Sequence, residues 1–208
     1  MQAGSPLFKS YPLQTKCVSI NCIQEDLNAL KKAIFLDRDG VINIFPGEDK
    51  FVLSWSEFRL MPGVRDALKR LRAHGFFLSL ATNQSGVGRG HMSIEALHEI
   101  HANMQSELGT EAVDAIYYCP HHPDAGCPCR KPSPHMILQS CADHDLDPKR
   151  SFMIGDSGRD IEMGTAAGCT TILCRENLPV LEKMKPQHRP DRMFKTLSEA
   201  VDWILNEC

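Results

Sequence analysis

A doubly wound, Rossmann-like parallel α/β sheet is the fold this sequence predicts, and two observations predict it. Short apolar runs alternate along the chain with segments of helical periodicity, the order expected of strands covered by helices on both faces. Several of those runs end in aspartate, hydroxyl or amide residues beside a glycine, the composition found where ligands bind at the carboxyl ends of parallel strands.

The first strand is Ala33 to Leu36, which runs into Asp37-Arg38-Asp39-Gly40. Asp37 and Asp39 then project the same way from the strand end, and carboxylates so placed repel unless a cation lies beside them or one of them holds a proton. Met61-Pro62-Gly63 opens a helix carried by Val64, Leu68 and Leu71 and ended by Gly75. Phe76 to Ala81 is the next strand, delivering Thr82-Asn83-Gln84-Ser85-Gly86, a turn whose hydroxyl and backbone N–H groups suit a phosphate oxygen. Ser93 with Glu95-Ala96 starts a helix through Leu108, whose apolar face is Leu97, Ile100, Met104 and Leu108. His91, His98 and His101 flank that face and read as surface residues.

Ala115 to Tyr118 is a strand leading into the loop Cys119-Pro120-His121-His122-Pro123-Asp124-Ala125-Gly126-Cys127-Pro128-Cys129, directly followed by Arg130-Lys131-Pro132. Pro134 to Asp143 is a helix, and Phe152 to Ile154 a strand that delivers Gly155-Asp156, with Asp160 one helical turn on. Ile161 to Ala167 (helix), Thr170 to Cys174 (strand) and Thr196 to Leu205 (helix) complete the pattern. There is no internal repeat, and no insert after Asp39 or between Gly86 and Cys119 long enough for a cap domain, so an open site is expected.

In the cysteine-rich loop, prolines stiffen the chain and Gly126 lets it turn back, so Cys119, His121, Cys127 and Cys129 can converge on a tetrahedral Cys₃His zinc site, with His122 as the alternative ligand. The spacings are tighter than the common C-x₂-C knuckle, which leaves free surface cysteines as a competing reading.

Taken together, D-x-D-G, a strand ending in threonine, a lysine and an acidic G-D-x-x-x-D resemble the haloacid dehalogenase-like phosphatase superfamily, over about Lys31 to Val201. Within it, D-R-D-G-x-I-N, T-N-Q-S-G-x-x-R-G and C-P-H-H-P followed by C-x-C-R-K-P are similar to the heptose bisphosphate phosphatases. Histidinol-phosphate phosphatases are the nearest alternative by motif, but their second motif reads T-N-Q-D-G where Ser85 stands here.

The resemblance implies that Asp37 is the nucleophile, forming an aspartyl-phosphate, and that Asp39 is the general acid and base. It implies that Thr82 and Lys131 hold phosphoryl oxygens and that Mg²⁺ is bound by Asp37, Asp156 and the Asp39 backbone carbonyl. It also implies substrate contacts from Asn83, Gln84, Ser85 and Arg130, and a structural zinc on Cys119, His121, Cys127 and Cys129. Asp160 supports the metal waters or simply interacts with the helix dipole. The expected substrate is a small phosphorylated sugar, a heptose bisphosphate hydrolysed at C7 in a bacterial surface-polysaccharide pathway. A catalytically idle binding or scaffold protein of the same fold is the alternative from another class. Two departures from the family bear on substrate. Ile44-Phe45-Pro46-Gly47-Glu48 lacks the tyrosine usual there, and Ser157 replaces a lysine found in some relatives.

Composition fits one enzyme domain over 31–208, preceded by an extension, 1–30, of unknown role. At 208 residues and 42% hydrophobic content the chain can bury a proper core. A formal charge of −3 without extended Lys/Arg runs argues against a nucleic-acid surface, and no apolar run is long enough to span a membrane. Nine cysteines without a paired framework point to a reducing cytoplasm, and the lack of an exposed apolar stripe favours a monomer. In the extension, Val18 to Ile23 reads as an edge strand and Gln24 to Lys32 as a short helix, with disorder of the first dozen residues as the other reading. Nothing there resembles a signal peptide.

Overall fold

The computed structural model describes residues 30–47 and 50–207. Readings that concern 1–29, the Val18 to Ile23 strand among them, lie outside the described residues. Lys31 does not continue a helix: it makes an isolated parallel bridge to Leu146, and its N–H donates to the Asp145 carbonyl at 2.9 Å.

Six parallel strands, β1 (Ala33–Leu36), β2 (Phe77–Asn83), β3 (Ala115–Cys119), β4 (Phe152–Gly155), β5 (Thr170–Cys174) and β6 (Arg192–Phe194), form one sheet in the order β3-β2-β1-β4-β5-β6. The chain winds outward from β1 to β3 and then returns to place β4 on the other side of β1. The strand order reverses between β1 and β4, and the crevice above that reversal is where open α/β sheets bind ligands.

Both faces are covered, as parallel sheets require. Alternation along β1 sends Ile34 and Leu36 to one face and Ala33 and Phe35 to the other. The first face is packed by α1 (Val64–Ala73), α2 (Ile94–Leu108) and α5 (Leu197–Glu207), through Leu68, Leu71, Ile100, Met104, Val201 and Ile204. The second is packed by α3 (His135–His144) and α4 (Gly158–Ala167), through Met136, Ile137, Met163 and Ala167. Ile34, Leu36 and Leu80 are completely buried; truncating one of them to alanine costs about 2–5 kcal/mol.

Local chemistry explains the element ends. Gly63 takes φ 79° ahead of α1, and the Ser93 hydroxyl accepts from the Ala96 N–H to cap α2. Three expectations shift. β2 starts at Phe77, because the Phe76 N–H is taken by the Leu71 carbonyl, and it runs on to Asn83, because pairing with β3 continues to Cys119. α4 begins at Gly158, capped from Ser157, where apolar periodicity marked only Ile161 onward. β6 is an edge strand held by backbone pairing to β5 with no apolar alternation to announce it.

Candidate active site

The end of β1 is folded into a tight loop. The Asp37 N–H continues the sheet by donating to the Ile154 carbonyl at 3.0 Å, while the Arg38 carbonyl accepts from the N–H groups of Ile42 and Asn43 at 2.8 and 2.9 Å. Gly40 closes the turn at φ 86°, and a Cβ there would run into the Asp156 carboxylate. Glycine is needed both for that backbone and for the approach of β1 to β4.

Lys131 is the centre of charge. Its Nζ lies 2.8 Å from Asp37 Oδ1 and 2.6 Å from Asp160 Oδ1, and donates to the Ala81 carbonyl at 3.1 Å. Burial alone would depress its pKa, but Asp160 and Asp37 outweigh that and hold it above the ordinary lysine value. Three carboxylates share this one cation. Burial pushes the Asp37 pKa up to about 6 against the pull of Lys131, aided by repulsion from Asp160 and Asp39. Burial, with repulsion from Asp37 and Asp160, pushes Asp156 up to about 7.

A divalent cation fits that surplus of negative charge. Asp37, Asp156 and Asp160 each present a ligating oxygen within 4.8 Å of the others. Asp160 is already committed: one oxygen meets Lys131 and the other accepts from the Ser157 hydroxyl and N–H at 2.6 and 3.1 Å. Asp160 is thus a first-turn carboxylate that caps α4, as one of its two readings has it, and it also holds the lysine. Among the described residues no hydrogen-bond donor occupies the Asp156 carboxylate, which leaves it available to a metal.

Asp39 sits in a different setting. The fully buried Arg38 forks it, with Nη2 at 3.0 and 3.1 Å from the two oxygens, and Asn43 and Gln84 amides each donate at 2.9 Å. Burial works to raise its pKa, but Arg38, Asn43 and Gln84 together hold it below the usual carboxylate value. On its far side Arg38 Nη1 lies 3.4 Å from Nε2 of His101. His101 is 5% exposed, so its expected place on the surface is corrected; it projects with Leu97, Met104 and Leu108 from the apolar face of α2. Burial and the Arg38 charge push its pKa down to about 3, so the ring is neutral.

The β2 end brings Thr82 to the same place. Gln84 Nε2 donates to the Thr82 hydroxyl oxygen at 3.0 Å, which frees the hydroxyl hydrogen for a phosphoryl oxygen. Asn83 and Gln84, both expected at the substrate, spend their side chains on protein groups. Asn83 Oδ1 accepts from the Lys131 N–H at 3.0 Å, and its amide donates to the Lys131 carbonyl at 3.3 Å, clamping the Lys131 backbone through both of its flanking peptides. Asn83, Ser85 and Arg130 line the cleft.

That cleft has a volume of about 240 Å³ and is lined by Asp37, Asp39, Thr82, Lys131 and Asp156 together. Much of its lining was illegible in sequence: Arg89, Arg159 and Arg175 join Arg130 and Ser157 in it, so the cleft is rich in cations. Phe45, Pro46 and Phe51 add apolar surface to that lining. Among the described residues no cap domain covers the mouth.

The cysteine-rich loop converges as one of its two readings requires. Cys119 Sγ lies 3.4 Å from Cys127 Sγ and 3.7 Å from His121 Nδ1; Cys129 Sγ lies 3.7 Å from Cys127 Sγ and 3.3 Å from His121 Nδ1. A tetrahedron with Zn–S bonds of about 2.3 Å has edges of roughly 3.8 Å, so the donor set fits structural zinc, and the sulfurs are too far apart for a disulfide. His122 stands outside the cluster, its Nδ1 accepting from the Asp124 N–H at 3.2 Å. The loop is stitched to the β2 turn: the Gln84 N–H donates to the Cys119 carbonyl and the Gly88 N–H to that of Pro120, both at 2.8 Å. A Cβ on Gly88 would collide with the His121–His122 backbone, so glycine permits that seam.

Comparison with known proteins agrees with this arrangement. The HAD-hydrolase-like family model matches residues 128–200. A D-glycero-beta-D-manno-heptose-1,7-bisphosphate 7-phosphatase of Pasteurella multocida is 40% identical over 167 residues, covering 76% of this chain and 89% of that protein. The chain belongs to this phosphatase family. A second member, the D-glycero-D-manno-heptose-1,7-bisphosphate 7-phosphatase of Thermosynechococcus vestitus, is 37% identical over 190 residues, covering 84% of this chain and 95% of its own. In three dimensions the chain is similar to the D,D-heptose 1,7-bisphosphate phosphatase of B. bronchiseptica, solved with magnesium and phosphate. The TM-score is 0.74 at 35% identity, over 85% of this chain and 99% of the other. The family thus has the haloacid dehalogenase-like fold, and a heptose bisphosphate phosphatase with this architecture holds magnesium, the kind of ion that the carboxylate cluster suits, together with phosphate.

Proposed function

We propose that this protein is a Mg²⁺-dependent phosphatase that removes the C7 phosphate of D-glycero-D-manno-heptose 1,7-bisphosphate, feeding nucleotide-heptose synthesis for a bacterial surface polysaccharide. The observation that carries the chemistry is the shared cleft of Asp37, Asp39, Thr82, Lys131 and Asp156. The family membership carries the substrate.

Asp37 is the nucleophile. Its Oδ1 accepts from Lys131 Nζ and from the Arg38 N–H at 2.7 Å, which leaves Oδ2 for bond formation to phosphorus. As the P–O bond to the sugar breaks, Asp39 gives its proton to the leaving oxygen; in the second half it takes a proton from the water that attacks the aspartyl-phosphate, and Asp37 is regenerated. The donors around Asp39 favour its ionised form in the free protein. A phosphate dianion in the cleft raises its proton affinity, so substrate binding loads the acid. Thr82 donates its free hydroxyl hydrogen and Lys131 its charge to the phosphoryl oxygens. Side chains of Asp37 and Asp156 and the Asp39 carbonyl would hold Mg²⁺, which when bound neutralises the phosphoryl charge. Asn83 and Gln84 position Lys131, Asp39 and Thr82, while Ser85 and Arg130 face the substrate. Cys119, His121, Cys127 and Cys129 would hold zinc, which when bound would fix the segment that carries Arg130 and Lys131.

The test is initial-rate phosphate release, with and without Mg²⁺, from both heptose 1,7-bisphosphate anomers and from histidinol phosphate. Preference for one heptose anomer by an order of magnitude or more is expected. Faster turnover of histidinol phosphate would discard the substrate, and Mg²⁺-independent silence on all three would discard the enzyme.

A further inference from the structure

Arg38 is the largest completely buried side chain of the described residues, and it stands between two residues that bear aspartates of the site. A buried guanidinium must place its N–H donors on acceptors. Among the described residues, Nε and Nη2 find theirs on Asp39 and Nη1 finds His101 Nε2, at 3.4 Å. The imidazole is fixed in turn: its ring packs edge-on to that of Tyr118 with centroids 5.5 Å apart, and the Tyr118 hydroxyl is 2.6 Å from His98 Nε2. Leu97, Ile100 and Met104 of the same helix are wholly buried, so α2 itself is anchored.

We propose that His101 is a positioning residue for proton transfer: its neutral Nε2 accepts from Arg38 and thereby fixes the fork that aims the Asp39 carboxyl at the leaving oxygen. The depressed pKa of the ring agrees with this, since a protonated Nε2 could not accept. Nothing in the sequence announces the role, because a histidine on an apolar helix face reads as packing. The inference rests on the reading of Asp39 as the proton carrier of a phosphatase.

A purely structural histidine and a positioning histidine respond differently to the leaving group. A sugar alkoxide needs a proton as it departs, whereas the phenolate of p-nitrophenyl phosphate does not. In single-turnover measurements on the zinc- and Mg²⁺-loaded protein, His101→Leu should slow phosphoenzyme formation from the heptose bisphosphate at least tenfold. It should leave p-nitrophenyl phosphate within about twofold. His101→Gln, whose side chain can place an oxygen near the Nε2 position, should recover most of the loss. Equal slowing of both substrates, no slowing of either, or a glutamine variant no better than the leucine variant would overturn the proposal. Nitrogen-15 spectra of the wild-type ring give an answer even if His101→Leu fails to fold: an unprotonated Nε2 at neutral pH is required, and a protonated one rules the role out. Wild-type protein inert on both substrates would sink the phosphatase reading instead, and the spectra would still decide whether His101 accepts from Arg38.

Discussion

Asp37, Asp156 and Asp160 stand on the ends of β1 and β4 and the first turn of α4, whereas Cys119, His121, Cys127 and Cys129 sit at the end of β3 and along a loop with only a single short turn of helix. In the first cluster the sheet and the start of α4 place the carboxylates without help, at the cost of crowding them around one lysine. In the second there is little charge to relieve and little scaffold to hold the donors together. A metal ion therefore does different work in each: it relieves electrostatic strain at a site already formed, or supplies the geometry of a loop that would otherwise wander. The sites are joined through Cys129-Arg130-Lys131, since the cation at the heart of the carboxylate cluster lies two residues from a zinc-type thiolate.

That contrast separates activity from stability, and substitution can pull the two apart. Asp37→Asn should reduce turnover by roughly 10⁴-fold or more, because the bond-forming oxygen is lost. Its melting temperature should hold or rise, since one of several repelling buried charges is removed while Asp160 still pairs with Lys131; a marked fall would mean that Asp37 is structural. Thr82→Val should lower kcat by about 10²–10³-fold, the loss expected of one donor to a developing charge, with zinc content unchanged. Cys129→Ser should reverse the pattern. Zinc measured by atomic absorption falls, the melting temperature drops, and kcat falls about 10²-fold as Lys131 loses its fixed position. Full activity in a zinc-free variant would show that the Asn83 clamp on the Lys131 peptide is sufficient by itself.

The legible parts of this molecule were those where one residue type has one physical use. Apolar strands, the Ser93 cap before α2 and the aspartates at strand ends could be read directly, because burial, capping and charge each leave a local mark, whereas Pro62 marks the start of α1 only to within two residues. His101 was misplaced although Leu97, Met104 and Leu108 share its face, since polarity was weighed above spacing. Arg38 gave no signal, because an arginine between two aspartates in sequence looks solvated until the fold closes over it. Asn83 and Gln84 were given to the substrate because amides beside a phosphate-type threonine suit either role. The fold adds the supporting role, bringing Asn83 to Lys131 and Gln84 to Asp39, 48 and 45 residues distant in sequence, while Asn83 still lines the cleft. β6 leaves little mark for another reason: it is only three residues long, and although Phe194 packs toward the core and Trp203, so short a run shows no alternation.

The subtlest consequence concerns pH. Asp37 and Asp156, with pKa values pushed up to about 6 and about 7 from an ordinary 3.8, bind protons in the folded metal-free protein that the unfolded chain has already released. Their contribution to stability is therefore fully present below pH 3.8 and is lost as pH rises through 6 and 7. Mg²⁺ needs the ionised carboxylates and relieves the repulsion that ionisation creates. Saturating Mg²⁺ should accordingly raise the melting temperature more at pH 8 than at pH 5.5, by a few degrees, when followed by thermal unfolding of zinc-loaded protein. Asp156→Asn should abolish most of that difference, and should flatten the metal-free curve between the two pH values. Zinc supplies the control. Its loop contains neither carboxylate, so Cys129→Ser should lower the melting temperature yet retain the pH-dependent response to Mg²⁺. If that variant lost the response as well, the loop and the carboxylate cluster would be one cooperative unit, and the division of labour between the two metal sites would be wrong.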